Sequence, residues 1–357
     1  TYGALNAQRS YQSGVNRPAG LGVNVFFAFG FAATYQLDPL PGLRQAEAPL
    51  AAKPEASMPK RPQQKDISLA DLRRELDRID AAIHALLMER GETIDTLIKV
   101  KKTQESGSAF RPAREAEMMH RLVERHRGSL PLDTVEGIWR VIISTFTYVQ
   151  APFSVHADLS AGDALMRDTA RFHFGFTAPF VPHMGAASVV EAVSESKGDL
   201  GLVPAFAFAG AGPWWTALEF AAAPKIIARL PFVERADHPA ALPVFVVSRA
   251  AADAMVTETE VWSMRVAGWR APAASALATR ADIIAVPDKA FDGAALLVSV
   301  PQGGIDQVRK ALVGIGASIR SAALVGSHAT RYTVAQEKRA AAPKGQAQQA
   351  RVRSNKK

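Results

Sequence analysis

Apolar residues recur three and four positions apart over a long stretch that begins after Ser68. They fall at Leu69, Leu72, Leu76, Ile79, Ile83 and Leu86. This spacing predicts an amphipathic helix of about 35 residues with a coiled-coil-like seam. A hydroxyl at Ser68 and an acid at Asp71 are typical of a helix N-terminus, and residues 105–108 are expected to end the helix.

Two shorter helices are predicted behind the first. Pro112 is well placed near the start of the second helix, which ends close to Arg127. Asp133 can cap a third helix that Pro152 stops. The apolar side of the third helix is expected to comprise Val135, Ile138, Trp139, Ile142, Ile143, Phe146 and Val149. Gln150 is a lone polar residue on the same stripe, and the whole stretch predicts an all-α domain of three helices.

Two basic residues, Arg90 and Lys101, occupy seam positions of the first helix where apolar side chains are expected. Their spacing of 11 residues places them within about 20° of each other around the helix and about 16 Å apart along it. Arg73 lies about 100° away from Arg90 around the same helix. Two interpretations stay open: the cations pair with neighbouring acids, or they line an internal pocket for a small anion between facing helices.

After Pro152 the sequence changes to short apolar runs between turns that contain Gly or Pro. Strands are predicted at residues 170–176, 200–204, 225–230, 243–247, 295–300, 318–325 and 331–334, and helices at residues 188–195 and 304–314. This alternation is typical of an α/β region. Four histidines show no ligand spacing and are interpreted as surface or hydrogen-bonded residues, namely His156, His173, His183 and His238.

The expected organisation is therefore multidomain. An all-α three-helix domain at residues 66–152 is followed by an α/β region at residues 153–336. Residues 1–65 are expected to be disordered or a non-native extension, with Met58 near the natural start, and residues 337–357 to be a basic disordered tail.

Composition narrows the functional classes. The 357 residues carry a net charge of +8, but residues 338–357 contribute +7 and residues 1–65 contribute +4, which leaves −3 for residues 66–337. We therefore do not expect a nucleic-acid role for the folded part, although weak attachment through the tail stays open. The absence of cysteine excludes disulfides and thiolate metal sites. No segment has transmembrane length, so we expect a cytoplasmic protein without a membrane partner.

The helical segment resembles the all-helical (type II) chorismate mutases. The residues that carry the resemblance stand in order and with the family's spacing: Leu72-Arg73, Asp77 to Asp80, Leu86-Leu-Met-Glu-Arg90, Lys101, Pro112-Ala-Arg114-Glu115 and Gln150. The resemblance covers roughly residues 68–150 and favours the pocket interpretation of the two seam cations. It implies an intertwined homodimer that rearranges chorismate to prephenate, with no cofactor and no metal.

The resemblance also implies roles for individual residues. Arg90 and Arg114 would bind the two carboxylates of chorismate, and Arg73 would reach the active site of the partner subunit. Lys101 and Gln150 would donate hydrogen bonds to the ether oxygen of the breaking bond. Glu115 would anchor the ring hydroxyl.

Two positions depart from the family's pattern. Arg111 stands where an aspartate is frequent, and Phe146 stands where a small polar residue is frequent. The first change is expected to affect binding of the substrate hydroxyl, and the second to alter packing in the pocket. Neither change removes a cation or an ether-oxygen donor.

The α/β region is similar to a degenerate prephenate dehydratase module with an ACT-like end. Residues 189–204 resemble the stretch that leads into the dehydratase Glu-Asn-Ser motif, but residues 205–208 read Ala-Phe-Ala-Phe. Residues 242–245 read Leu-Pro-Val-Phe where the family has Thr-Arg-Phe. Residues 296–319 resemble the first strand, helix and second strand of an ACT domain, without its Glu-Ser-Arg.

The favoured function is therefore chorismate mutase activity in phenylalanine and tyrosine biosynthesis, with an α/β partner that has no catalytic role. Three alternatives stay open. The first is a bifunctional mutase–dehydratase, the second is a non-catalytic protein that senses metabolites with the same folds, and the third is a pyruvate lyase that acts on isochorismate. The presence of both Lys101 and Gln150 favours the mutase.

Overall fold

The computed structural model describes residues 68–101, 109–208, 210–249, 257–270, 277–288 and 293–334. These residues all belong to one compact unit that begins at Ile67. The expectations for residues 1–65 and 337–357, including that for Met58, lie outside the described residues, as does the side chain of Lys101.

Helix α1 spans Leu69–Lys101, and the predicted long helix is confirmed. The Asp71 N–H donates to Ser68 Oγ over 3.1 Å, and the Ser68 N–H donates to Asp71 Oδ2 over 3.2 Å, which satisfies backbone donors at the helix start. The apolar seam of α1 is exposed along its first five turns. Its exposed members are Leu69, Leu72, Leu76, Ile79, Ile83 and Leu86.

Helices α2, Pro112–Arg125, and α3, Leu132–Gln150, complete the predicted all-α segment. The buried face of α3 differs from the predicted one. Ile138 and Val149 are exposed, whereas Glu136 and Arg140 are buried. The reason is that α3 lies against α4 of the α/β region and presents hydrogen-bonding residues to it.

The α/β region confirms the predicted class. Its helices are α4, Asp163–Phe174; α5, Ala186–Glu195; and α6, Ile305–Gly314. Its strands are β1, Val155–Asp158; β2, Phe180–His183; β3, Leu200–Pro204; β4, Lys225–Leu230; β5, Val233–Glu234; β6, Val244–Ser248; β7, Thr259–Ala267; β8, Asp282–Asp288; β9, Gly293–Pro301; β10, Ser318–His328; and β11, Tyr332–Thr333. The strand predicted at residues 170–176 is wrong, because that run belongs to α4 and buries Met166, Ala170 and Phe174 at helical spacing.

Nine strands form one mixed sheet in the order β2-β1-β3-β6-β4-β10-β7-β9-β8. Strands β1, β2 and β3 are parallel, and α5 packs on them. Strands β7, β8, β9 and β10 pair antiparallel, and α6 packs on β10. The core of the first part is continuous with α2 and α3, since Met119, Leu122 and Ile143 belong to the same buried cluster as Leu200 and Leu202.

The two parts of the sheet meet where β10 pairs in parallel with β4, through Gly326 and Ile226. A Cβ atom added at Gly326 would lie 2.1 Å from the carbonyl oxygen of Ile226, so no side chain is accommodated there. The backbones approach this closely only because residue 326 is glycine.

We therefore expect Gly326→Ala to lower the free energy of unfolding by about 2–4 kcal/mol, because the clash is with backbone and cannot relax through a rotamer. Gly314→Ala is the matched control, since nothing lies within 4 Å of a Cβ there. Urea denaturation followed by circular dichroism measures both. Equal stability of the two variants would contradict the close approach of the β4 and β10 backbones at this position.

Among the described helices, none is both long enough and apolar enough to cross a membrane.

Candidate functional site

The side chain of Arg90 lies between α1 and α3, on the ring of Phe146. The Arg90 guanidinium carbon is 4.4 Å from the centroid of that ring, and the ring also borders Gly91. The contact is a cation–π interaction that holds the guanidinium in place without neutralising its charge. Phe146, which departs from the family's pattern, thus supports one of the predicted substrate-binding residues.

Arg114 is exposed on the first turn of α2. Burial lowers the pKa of Arg90, and the positive charge of Arg114 lowers that pKa further. Within the part of the chain that the structure describes, neither arginine forms an ion pair, and the buried Nη1 of Arg90 has no hydrogen-bond partner. A half-buried guanidinium without an acid is suited to bind an anion.

Gln150 ends α3 one turn beyond Phe146. Its Nε2 donates to the Phe146 carbonyl oxygen over 2.9 Å, and its side chain is half-buried. The backbone of Lys101 is the last residue of α1, on the same seam as Arg90. The structure therefore brings Arg90 together with Phe146, and places Gln150 on the next turn of the same helix face.

Glu115 is buried and paired. Its Oε2 accepts a hydrogen bond from Nη1 of Arg140, on α3, over 2.7 Å. Burial raises the pKa of Glu115, and the positive charge of Arg140 opposes that rise. The carboxyl group is thus held on the inner side of α2, whereas its neighbour Arg114 is exposed.

Arg73 is exposed near the start of α1. It precedes Arg90 by 17 residues, which is about 25 Å along a helix, so it cannot contact the same ligand as Arg90 of its own chain. Arg111 is half-buried at the start of α2 and donates from Nη1 to the carbonyl oxygen of Phe110 over 3.1 Å. A basic side chain thus stands at this position, where the family frequently has an aspartate.

Arg140 is the partner of Glu115, and sequence reasoning missed it. It is 1% exposed and bridges two parts of the chain, since its Nη2 also donates to the His173 carbonyl oxygen over 2.9 Å. The signal in the sequence is Glu136 followed four residues later by Arg140 on α3, a charged pair on one face of a helix. Such a pair is usually interpreted as solvent-exposed, so the sequence alone does not indicate that Arg140 is buried.

A second buried ion pair joins α3 to the loop after β5. Glu136 accepts from Nη1 of Arg235 over 3.0 Å, and its other oxygen lies 3.2 Å from Nε2 of His238. The Ala240 N–H donates to Nδ1 of His238, so Nε2 carries the proton that Glu136 accepts. His173 is buried and stacks on His238 at 6.0 Å, and burial lowers the pKa of His173 well below its usual value. The helical segment is therefore bonded to the α/β region by charged groups.

Two further histidines form a chain in the α/β region. Nδ1 of His156 lies 2.9 Å from Nε2 of His183, and Nε2 of His156 lies 3.2 Å from Asp199. The predicted hydrogen-bonded character holds for His156, His183 and His238. It is wrong for His173, which is fully buried and has no hydrogen-bond partner for either ring nitrogen among the described residues, because its ring packs against Phe172 and His238. Among the described residues no group of three or more His, Asp or Glu side chains has the arrangement of a metal site.

Comparison with known proteins finds a family match over the helical segment. Residues 72–151 match the model of the family described as chorismate mutase type II. This range contains Arg73, Arg90, Arg114 and Glu115, and it ends one residue beyond Gln150.

Two curated relatives are bifunctional chorismate mutase/prephenate dehydratases. The protein of Neisseria gonorrhoeae is 31% identical over 106 residues, which cover 30% of this chain and 28% of the relative. The protein of Aquifex aeolicus is 29% identical over 140 residues, which cover 38% of each chain. The matches thus span less than half the length of these relatives. A solved prephenate dehydratase from Streptococcus mutans aligns over 51% of this chain and all of its own, with 15% identity and a TM-score of 0.32.

Proposed function

We propose, from the premise that residues 72–151 form a type II chorismate mutase domain, that this protein rearranges chorismate to prephenate. The observation that carries the proposal is the Arg90 guanidinium, which lies half-buried on the Phe146 ring without an acidic partner among the described residues. Chorismate carries two carboxylates, and a planar guanidinium binds a carboxylate through two parallel hydrogen bonds.

The reaction is intramolecular and needs no nucleophile. Arg90 and Arg114 hold the two carboxylates, so that the reacting ends of the substrate lie near each other before the bond forms. Lys101 and Gln150 donate to the ether oxygen, on which negative charge develops as its bond to the ring breaks. Glu115 anchors the ring hydroxyl, and Arg140 positions that carboxyl group.

Product analysis separates this proposal from its alternatives. The purified chain is incubated with chorismate at about pH 7, and prephenate, phenylpyruvate and pyruvate are quantified separately. The proposal predicts prephenate as the product. Phenylpyruvate formed faster than prephenate decays spontaneously would favour the bifunctional alternative, and pyruvate formed in a parallel incubation with isochorismate would favour the lyase.

We further propose that the active unit is a homodimer in which the α1 helices pair. The supporting observation is the seam of α1, which is apolar but exposed in the single chain; Leu69, Leu76 and Leu86 are each at least 60% exposed. A row of large exposed apolar side chains is typical of a surface that another protein covers. A partner helix along this seam also explains how Arg73, about 25 Å from Arg90, serves an active site.

Ile83→Glu is expected to halve the mass in solution, because it places a charge in the seam. The mutase activity is expected to fall with it, since each site would lose the partner's arginine. Ala81→Glu, about 160° away on the same helix, is the matched control. Light scattering after gel filtration measures the mass. A dimeric Ile83→Glu variant would show that the seam is not the interface.

The α/β region is proposed to bind a small molecule without dehydratase chemistry, because the Glu-Asn-Ser and Thr-Arg-Phe motifs are replaced at residues 205–208 and 243–245. We also propose that the protein is located in the cytoplasm.

A further inference from the structure

Phe146, on α3, contacts two of the residues that are proposed to bind the substrate. Its ring carries the guanidinium of Arg90, whose central carbon is 4.4 Å from the ring centroid. Its backbone carbonyl oxygen accepts a hydrogen bond from Nε2 of Gln150 over 2.9 Å. A substitution of the Phe146 side chain consequently separates the two contacts, because it removes the first and keeps the second.

The Phe146 ring is held against the backbone of α1. A Cβ atom added at Gly91 would lie 3.7 Å from Cε1 of the ring, which is an ordinary van der Waals distance. Gly91 follows Arg90 directly in the sequence, so the ring packs beside the residue whose guanidinium it carries. The aromatic face thus approaches Arg90 from the neighbouring helix, and its negative charge distribution attracts the cation.

Phe146 lies outside the apolar core. Among the described residues, it belongs neither to the three buried clusters nor to the apolar side chains that pack against them, whereas its neighbours Ile143 and Tyr148 on α3 do. Its side chain is half-buried. We therefore expect its replacement by a smaller apolar side chain to destabilise the fold less than the same change would in the core.

Arg90 depends on this ring for its orientation. No acidic side chain of the described residues acts on its charge, and the nearby charge that does, that of Arg114, is repulsive. A long side chain without an ion-pair partner occupies several rotamers, and ordering it when a ligand binds costs free energy. The Phe146 ring restricts the guanidinium before the ligand arrives, so less of this cost is left for binding.

We propose, on the premise that the chain is a mutase, that Phe146 is a positioning residue: its ring orients the Arg90 guanidinium for a carboxylate of the substrate. The resemblance to the family does not supply this role, because a small polar residue is frequent at that position. A carboxylate is bound in the ground state and in the transition state alike. Loss of the ring is therefore expected to raise KM and to leave kcat nearly unchanged.

Phe146→Leu, which keeps an apolar side chain but removes the ring, is expected to raise KM for chorismate about tenfold and to change kcat less than about threefold. Phe146→Tyr keeps the ring and is expected to stay within about threefold of wild type in both constants. Phe176→Leu is the matched control, because it removes an exposed ring that carries Arg171 at 4.6 Å outside the site. It should change neither constant. Steady-state kinetics of the full chain measure all three variants.

Phe146→Ser introduces the kind of residue that is frequent in the family. We expect KM to rise at least about tenfold, as in Phe146→Leu, because the ring is lost. A folded Phe146→Ser variant with KM at or below the wild-type value would overturn the proposal, since a hydroxyl would then serve the substrate better than the ring.

A double-mutant cycle separates positioning of Arg90 from a general structural effect. In the Arg90→Ala background, Phe146→Leu should lower kcat/KM less than about twofold, because the group that the ring positions is absent. In the Gln150→Ala background, the effect of about tenfold should remain, because Gln150 is bonded to the backbone of residue 146 and not to its ring. Effects of equal size in the two backgrounds would overturn the proposal.

Nuclear magnetic resonance of the full chain without substrate tests the contact itself, and it decides even if Phe146→Leu does not fold. The Nε–Hε signal of Arg90 is assigned by its loss in Arg90→Lys. We expect the Hε proton at higher field than that of other arginines, because it lies over the ring. An unshifted signal in wild-type protein that has mutase activity would overturn this proposal alone. A shifted signal in protein without mutase activity would support the contact and refute the proposed function.

Discussion

Arg90→Ala is expected to lower kcat/KM for chorismate by about 10²- to 10³-fold, equivalent to about 3–4 kcal/mol of transition-state stabilisation. The reason is that Arg90 is half-buried and supported by the Phe146 ring, so water cannot replace it as a partner for a carboxylate. Steady-state kinetics with purified chorismate measure the effect.

Arg78→Ala is the matched control, since Arg78 lies on the same helix but pairs with Glu75 in solvent. It is expected to keep wild-type kinetics. Arg90→Lys, which keeps the charge but loses the planar fork, is expected to recover only part of the activity. If folded Arg90→Ala stays within about threefold of wild type, the assignment of the pocket is wrong.

Arg140→Met is expected to lower the free energy of unfolding by about 3–5 kcal/mol at neutral pH, because it leaves Glu115 buried without a partner. Urea denaturation gives the value. The double variant Glu115→Leu/Arg140→Met is the control, and it should recover most of the loss, since a well-packed apolar pair can replace a buried ion pair.

The Arg140→Met deficit should also depend on pH. Burial raises the pKa of Glu115 in the folded chain, and Arg140 opposes that rise, so removing Arg140 raises the pKa further. A carboxyl group with a raised folded pKa favours folding most below its unfolded pKa of about 4.3, and this contribution is lost as the pH rises through the folded pKa. The deficit relative to wild type should therefore be larger at about pH 8 than at about pH 5.5. A deficit of the same size at both pH values would show that Glu115 is not the group that the substitution leaves without a partner.

The helices of the mutase segment could be predicted because their signals are local. The seam of α1, the Ser68 and Asp71 cap and the placement of Pro112 each depend on residues within a few positions of one another. The grouping of Arg90 with Arg114 was predicted through the family's spacing and stays a prediction.

The buried face of α3 could not be predicted in the same way. Glu136 and Arg140 are buried because their partners come from distant parts of the chain: His238 is 102 residues from Glu136, and Glu115 is 25 residues from Arg140. Without those partners, charged residues on a helix are interpreted as exposed.

The short strands show a related limit. Strands β1 and β2 have four residues each, and Pro182 interrupts the apolar pattern of β2, so neither was predicted. Residues 170–176 were predicted as a strand, but the apolar positions of this run fall on one face of α4. The longer strands β7 and β8 were not predicted either. The class of the region was nevertheless correct, because strands are present at most of the other predicted positions.

The most direct test of the central claim is the rate at which purified protein converts chorismate to prephenate, compared with buffer alone and with Arg90→Ala. We predict catalytic loss of chorismate with one prephenate formed for each chorismate consumed, and a kcat/KM about 10²- to 10³-fold lower for Arg90→Ala. Folded wild-type protein that leaves chorismate decaying at the rate seen in buffer would contradict the proposed function.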